Sequence, residues 1–442
     1  MKYIKLSLLA MLLMGISTSC FKMEEEDIFD ENAATRIDKA IKEYTDVLTD
    51  KGGKWMLEYY ANGDEPGYVY IMTFNKNGSV KMSGKNIYIG ELDNEQNVSK
   101  FRSEESLWQV IGDNGPVLSF NSYNEIFHLF ANPEDIGTTE TDEQGYGHEG
   151  DYEFDIMKYS GDTLYLDGKK YERHMLMTRL PETTDDETFF AELDDVKAQF
   201  SVLIPELYLT AASGKRYVCS NAASMIWSIC PEGGDPIMET KTYNAIVTPF
   251  GVRFMSPLSI LANYSDVPVQ AFKFKDGKLV AEDGKTVITP DALGNIFADS
   301  RFKWQVDAAK SSGALLEAYN AFSVGVKAYN KANLQFMQFL HITSSTLNTK
   351  AMLFNVKVSS KALSCNLYCD VTPNGDNVSF KFSGNGDKNA LVFYNNVAEV
   401  KDFLSLLESE EYALTTDRPL GPSELKLTSK KDPNSYLTVS LK

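Results

Sequence analysis

The 442-residue chain carries 43 Lys and Arg against 62 Asp and Glu, a formal net charge of −19. That balance argues against nucleic acid as a partner, because phosphate binding needs basic surface that displaces counterions. Hydrophobic residues make up 43% and aromatic residues 12%, ample for packed cores, so wholesale disorder is excluded and the length predicts about two or three domains.

Residues 1–19 read as a signal segment. Lys2 and Lys5 give a positive start, Leu6 to Ile16 is an apolar run, and the small residues Ser17-Thr18-Ser19 lead into Cys20. At about 1.5 Å per residue that run reaches roughly half a hydrocarbon core, which suits export and not a membrane span. A cysteine directly after small residues resembles the bacterial lipoprotein signal, which implies cleavage before Cys20 and acylation of its thiol and new amino group. Each buried CH₂ of such chains contributes roughly 0.8 kcal/mol to anchoring. The following residues 20–32 form an acidic tether, and Glu24-Glu25-Glu26-Asp27 resembles the export tag that sends Bacteroidetes lipoproteins to the outer face of the outer membrane. No later apolar run approaches the roughly 18 residues a spanning helix needs.

Residues 33–182 are expected to form a helix followed by an antiparallel barrel-like domain. Ile37, Ile41, Tyr44 and Leu48 recur at helical spacing over 33–50, and Gly52-Gly53 stops the helix. From Trp55 to Leu180 short alternating runs are broken by Asn62-Gly63, Asn77-Gly78, Asn114-Gly115 and Asp167-Gly168, pairs that supply the positive φ of tight hairpins. Leu107–Ile111 and Glu125–Phe130 are among the strands this pattern predicts. Many consecutive antiparallel strands with short turns favour an up-and-down barrel or a strongly curved sheet.

Pro181 to Asp186 reads as a linker that also caps a helix. Residues 183–442 are expected to be a second β-rich domain with helices near 187–200, 308–330 and 398–408, and no solenoid repeat is present. The fold class is therefore mainly β with a few helices (α+β). Of the four remaining cysteines, Cys365 and Cys369 are about 13 Å apart if they share a strand, too far for a bridge. Cys219 and Cys230 read as buried free thiols, with a hairpin bridge as the alternative. Neither pair has zinc-knuckle spacing with nearby histidines.

Several segments are similar to a Bacteroidetes lipoprotein family catalogued as domain of unknown function 4302. They are Ala33 to Ile37, Gly53-Lys54-Trp55 with Leu57-Glu58-Tyr59, Met72 to Asn75, Gly115 to His128, Gly147 to Phe154 and Asp162 to Lys170, with looser likeness at Gly251-Val-Arg-Phe254 and Leu425 to Ser429. His148 stands where that family more often has a second glycine. The resemblance implies an outer-membrane lipoprotein, often encoded beside a starch-utilisation-type transporter pair and a zinc-peptidase-type protein, and it supplies no catalytic residues. Separately, Gly53-Lys54-Trp55 looks like the Gly-x-Trp entry of lipocalins, so a lipocalin-like form of the barrel is one option.

Motifs for chemistry are scarce. The four histidines, His128, His148, His174 and His341, include no His-x-x-x-His helix, and no Gly-x-Ser-x-Gly elbow occurs. Gly284-Lys285-Thr286 imitates the end of a phosphate loop, but Leu279 occupies the place of its first glycine and the segment reads as a hairpin. No cofactor and no metal is expected. Residues 132–155 hold nine acids and no Lys or Arg, which reads as a solvated loop, with calcium coordination as the alternative. The ligand-binding candidates are Trp108, Tyr123, Asn124 and His128: aromatic faces that bury apolar area at small entropy cost, beside polar groups at a barrel mouth. A structural histidine and a strand-capping turn are the competing readings of His128 and of Tyr123-Asn124. The sequence thus predicts a non-enzymatic, lipid-anchored surface protein that binds a glycan, peptide or small molecule for a neighbouring transporter. A structural subunit of an outer-membrane transporter complex and a hydrolase with a spatially assembled carboxylate pair are the alternatives.

Overall fold

A computed structural model describes residues 31–132, 147–200, 206–344 and 347–442. The signal segment, Cys20, all but the last two residues of the tether, and residues 133–146 of the acidic loop lie outside the described residues. The first helix, α1 (Ala33–Thr49), starts where Asn32 accepts a hydrogen bond from the Thr35 amide at 2.9 Å. A short turn with Gly53 at φ +61° turns the chain into the first strand.

Nine strands follow in one antiparallel sheet: β1 (Lys54–Tyr59), β2 (Tyr68–Phe74), β3 (Ser79–Asn86), β4 (Lys100–Leu107), β5 (Gln109–Asp113), β6 (Gly115–Ser119), β7 (Glu153–Ser160), β8 (Thr163–Gly168) and β9 (His174–Arg179). Their order is β4-β3-β2-β1-β9-β8-β7-β6-β5, so the first and last strands pair in mid-sheet, with Leu57 opposite Met177. The strand predicted over Leu107–Ile111 is divided. Trp108 separates β4 from β5, which are the two unpaired edges of a half-barrel. Trp108 explains the break: its indole N–H donates to the Ser79 carbonyl at 3.0 Å and its ring packs on Phe74, so it folds inward instead of continuing a ladder.

The strand expected over Glu125–Phe130 is instead a helical turn, α3 (Glu125–His128), continued by a 3-10 turn over Leu129–Ala131; a further short helix, α2 (Ile87–Leu92), follows β3. Asn124 is the reason, since its side chain caps the Phe127 amide at 3.1 Å. The turn enters the half-barrel and fills it: Ile126, Phe127, Leu129 and Phe130 are buried, and Phe127 packs against Tyr59, Tyr70, Phe120 and Phe154. The Tyr70 hydroxyl donates to the Ile126 carbonyl at 2.9 Å and fixes the plug.

The opposite face of β1 is also apolar. Met56 and Tyr60 there share a core with Phe189, Phe190 and Leu193 of helix α4 (Asp186–Ala198) and with Trp227, Ile246 and Phe254 of the next sheet. Helix α4 is fixed by Asp186, whose carboxylate meets Lys54 and Lys81 at 3.0 Å each and accepts from Ser83 at 2.7 Å. Half-barrel and next sheet are joined in the backbone too, where the Gly67 amide donates to the Ala245 carbonyl at 3.0 Å.

The stretch expected as one second β-rich domain contains two barrels, each closed by pairing its first strand with its last. The first runs from β10 (Leu207–Thr210) through β13 (Lys241–Thr248), β14 (Gly251–Phe254) and β15 (Ala271–Lys275) to β17 (Val287–Pro290), and Tyr208 opposite Thr289 closes it. After α5 (Leu293–Ala298) the second runs from β18 (Trp304–Ser312) to β25 (Tyr436–Leu441), closed by Val306 opposite Val439. The helix predicted from 308 begins only at Gly313: α6 is Gly313–Asn330, because residues up to Ser312 remain paired to β25 through a bulge. Helices α6, α7 (Lys388–Asn396) and α8 (Ala398–Glu408) pack into this barrel, with Phe322 against Phe354 and Phe403. Both barrels are filled by side chains. The fold class is as the sequence predicts: mainly β, antiparallel and barrel-like, with helices.

Cys219, Cys230, Cys365 and Cys369 are free. Cys219 stands opposite Ile229 and Cys230 opposite Val218, so the two thiols face opposite sides of their hairpin and cannot bridge. Cys230 is half-buried, not buried as expected.

Candidate functional site

A concave surface lies between two of the units. The outer face of the half-barrel meets the outer face of the first closed barrel along a groove of about 290 Å³. Strand register lays out one wall. Met56, Thr178 and Thr163 form one row across β1, β9 and β8, and Glu58, Leu176 and Tyr165 form the next. The other wall comes from β13, β14 and β15: Thr248, Phe250, Gly251, Arg253, Ala271 and Lys273. Phe250 sits in the β13–β14 turn and is 53% exposed, its ring 6.5 Å from Phe189.

Glu58 and Arg253 cross the groove from opposite walls, with Nε to Oε2 at 2.7 Å. Glu58 is 7% exposed. Burial pushes its carboxyl above the ordinary carboxylate range, and the Arg253 guanidinium opposes that push. The two atoms are within ion-pair distance but poorly aligned for a hydrogen bond. Lys273 lies on the same outer face as Arg253, diagonal to it, because Arg253 stands opposite Ala271 and Lys273 opposite Gly251. On the other wall the Lys158 ammonium covers the Tyr165 ring at 4.2 Å. Among the described residues Glu58 is the one carboxylate lining the groove, and no histidine or cysteine lines it. This chemistry suits binding: two aromatic rings, threonine hydroxyls and cationic donors.

The residues singled out in the sequence are elsewhere. Trp108 is core. Asn124 is fully buried, and its amide bonds to Glu104 and Ser106 besides capping α3. The His128 ring lies between Tyr123 and Tyr152, with centroids 5.4 and 5.2 Å away. Its Nδ1 accepts from the Asn124 amide at 3.1 Å. Burial pushes its pKa below the ordinary value, against backbone hydrogen bonds to Asn124 and Phe120, so the ring is neutral near pH 7. Tyr123 is 64% and Tyr152 46% exposed, so the sequence candidates yield a surface aromatic stack with a structural histidine at its centre. Among the described residues no group of three His, Cys, Asp or Glu is placed to hold a metal ion. His148, buried beside Tyr88, meets Glu65 at 2.5 Å, and Glu65 accepts from Tyr68 at 3.0 Å.

Glu58 and Arg253 were not singled out in the sequence. A signal existed: Trp55 to Ala61 is apolar at positions of both parities except for Glu58, the mark of a strand covered on both faces. An acid in such a strand needs a buried cation opposite it.

The family model for a domain of unknown function (DUF4302) matches residues 25–276, a stretch that contains every groove residue. No curated protein and no solved structure matches the chain.

Proposed function

Because this chain belongs to the DUF4302 family, we propose that it is a Bacteroidetes-type lipoprotein, held on the outer face of the outer membrane by acyl chains on Cys20. It acts there without catalysis, as a binding accessory for nutrient uptake, handing a glycan, peptide or small molecule to a starch-utilisation-type transporter pair. The amino-terminal pattern supports the address. The observation that carries the binding role is the groove at Glu58 and Arg253, which holds aromatic and cationic groups in a concave site near the lower end of the usual ligand-pocket size, about 300–1,000 Å³.

Two measurements test this reading. Mass spectrometry of the membrane-extracted protein should find Cys20 at the amino terminus, acylated; an unprocessed terminus removes the anchor. Glycan and peptide arrays probed with the soluble chain lacking Cys20 should give hits that Phe250→Ala weakens. No hits on either array refutes the binding role.

The apolar cores favour a second reading, a structural subunit of an outer-membrane transporter complex with no ligand of its own, because among the described residues side chains fill the interiors of the sheets. Stable co-purification with the transporter pair, together with silent arrays, selects that reading.

A further inference from the structure

Arginine offers five N–H donors. Arg253 meets Glu58 through Nε at 2.7 Å, and among the described residues no hydrogen bond takes up its Nη–H donors. Lys273 has no ion-pair partner among the described residues either. In a chain of net charge −19, two cations stand side by side on one groove wall, and their outer donors point away from Glu58, an arrangement suited to an anion. Diagonal positions on neighbouring antiparallel strands put their Cβ atoms roughly 7–8 Å apart or less, so both long side chains reach one carboxylate.

Charge selects the class of anion. Among the lining residues Arg253 and Lys273 against Glu58 leave one net positive charge, the Lys158 ammonium being taken up by the Tyr165 ring, and this matches a monoanion. A dianionic phosphate places its second charge beside Glu58 and in the negative field of the whole chain. Size and lining select the body: about 290 Å³ holds one or two small rings, and Tyr165 and Phe250 offer aromatic faces on opposite walls.

We propose that this groove binds a small carboxylate-bearing molecule, its carboxylate held by the Nη edge of Arg253 and by Lys273, and its body between Tyr165 and Phe250. The proposal rests on the binding reading above and specifies its ligand. A sugar acid and a peptide carboxyl terminus share this chemistry, so the test includes both.

Calorimetry on the soluble chain compares galacturonate with neutral galactose, and N-acetyl-Phe-Gly with its carboxyl-terminal amide. At least one acid should bind roughly 10- to 100-fold more tightly than its neutral counterpart, the span expected for charge-assisted hydrogen bonds. That advantage should shrink as salt is raised. The acid that binds identifies the source. Lys273→Gln, at an exposed position, should weaken the acid and leave the neutral probe unchanged. Arg253→Gln is made together with Glu58→Gln, so that no buried carboxylate is stranded, and should remove most of the preference. Equal binding of acid and neutral probes, or a preference that survives both variants, overturns the carboxylate assignment. Silence of all four probes at millimolar concentration also overturns it, whereas array hits weakened by Phe250→Ala still uphold a binding role for the groove.

Discussion

Truncating Phe127 to alanine tests whether the half-barrel depends on its helical plug. The side chain is buried and ringed by Tyr59, Tyr70, Phe120 and Phe154, with centroids 5.0 to 6.3 Å away. These neighbours cannot close the gap freely, since Tyr59 is tied to the Asp151 carbonyl at 3.1 Å and Tyr70 to the Ile126 carbonyl at 2.9 Å. Removing the ring leaves a cavity of roughly 100 Å³, which at about 24 cal/mol per Å³ costs ~2.4 kcal/mol. The lost transfer free energy adds about 2 kcal/mol, for a sum near 4 kcal/mol. Because three sheets need not unfold together, one melting temperature is the wrong readout. Hydrogen exchange followed by mass spectrometry resolves them. Amides of β1, β2 and β9 should lose protection by roughly a thousandfold, while those of the β18–β25 barrel stay unchanged. Tyr123→Ala, at an exposed ring, serves as the control and should remain within about 0.5 kcal/mol of the parent. A loss below tenfold in the half-barrel amides refutes the plug as a source of stability.

Asp186→Asn should destabilise the contact of α4 with the half-barrel by about 3 kcal/mol, since it leaves Lys54 buried beside a neutral partner; differential scanning calorimetry reads this as a lowered first transition. Burial alone pushes the Asp186 carboxyl up, but Ser83, Lys54 and Lys81 together outweigh it and hold the carboxyl below its ordinary range. Its contribution is therefore present above the unfolded value, about 3.9, and is lost as pH falls through the lower folded value; acid titration of the parent and of Asp186→Asn should converge there. Gly53→Ala should cost more than about 2 kcal/mol in the half-barrel, because φ is +61° and the new Cβ lies 2.2 Å from the Phe74 carbonyl oxygen; unchanged urea unfolding contradicts this. Burial pushes the thiols of Cys219, Cys365 and Cys369 up to about 12, so maleimide at pH 8 should label Cys230 alone in the native soluble chain and all four after denaturation.

Local chemistry was readable at some of the expected turns and not at others: Asp167-Gly168 ends β8 without a positive φ, and Asn62-Gly63 lies in a longer loop between β1 and β2. Asn77-Gly78 and Asn114-Gly115 each form a strand-to-strand turn, and the helices near 187–200 and 398–408 stand within two residues of their expected bounds. Glu125-Ile-Phe-His-Leu-Phe130 is apolar enough to pass for a strand, and only the capping amide of Asn124 marks it as helical. Residues 308–312 are unremarkable helix formers that pairing to β25 holds extended. A local cap decides the first case and a tertiary partner the second. The groove was hidden for a further reason, since Glu58 and Arg253 are 195 positions apart and meet only because two outer faces dock. The aromatic candidates were better placed: Tyr123 and His128 do come together, with Tyr152 as the third member that spacing could not reveal.

Pairing of β1 with β9 sets an order on how the chain can acquire its shape. Trp55 leaves the ribosome long before Arg179, its neighbour in the finished sheet; at synthesis rates of about 5–20 residues per second it waits roughly 6 to 25 s. During that interval the apolar edge of β1 has only β2 to shelter it. A nascent chain of this design therefore depends on holding factors, or on delayed collapse, until its ninth strand arrives.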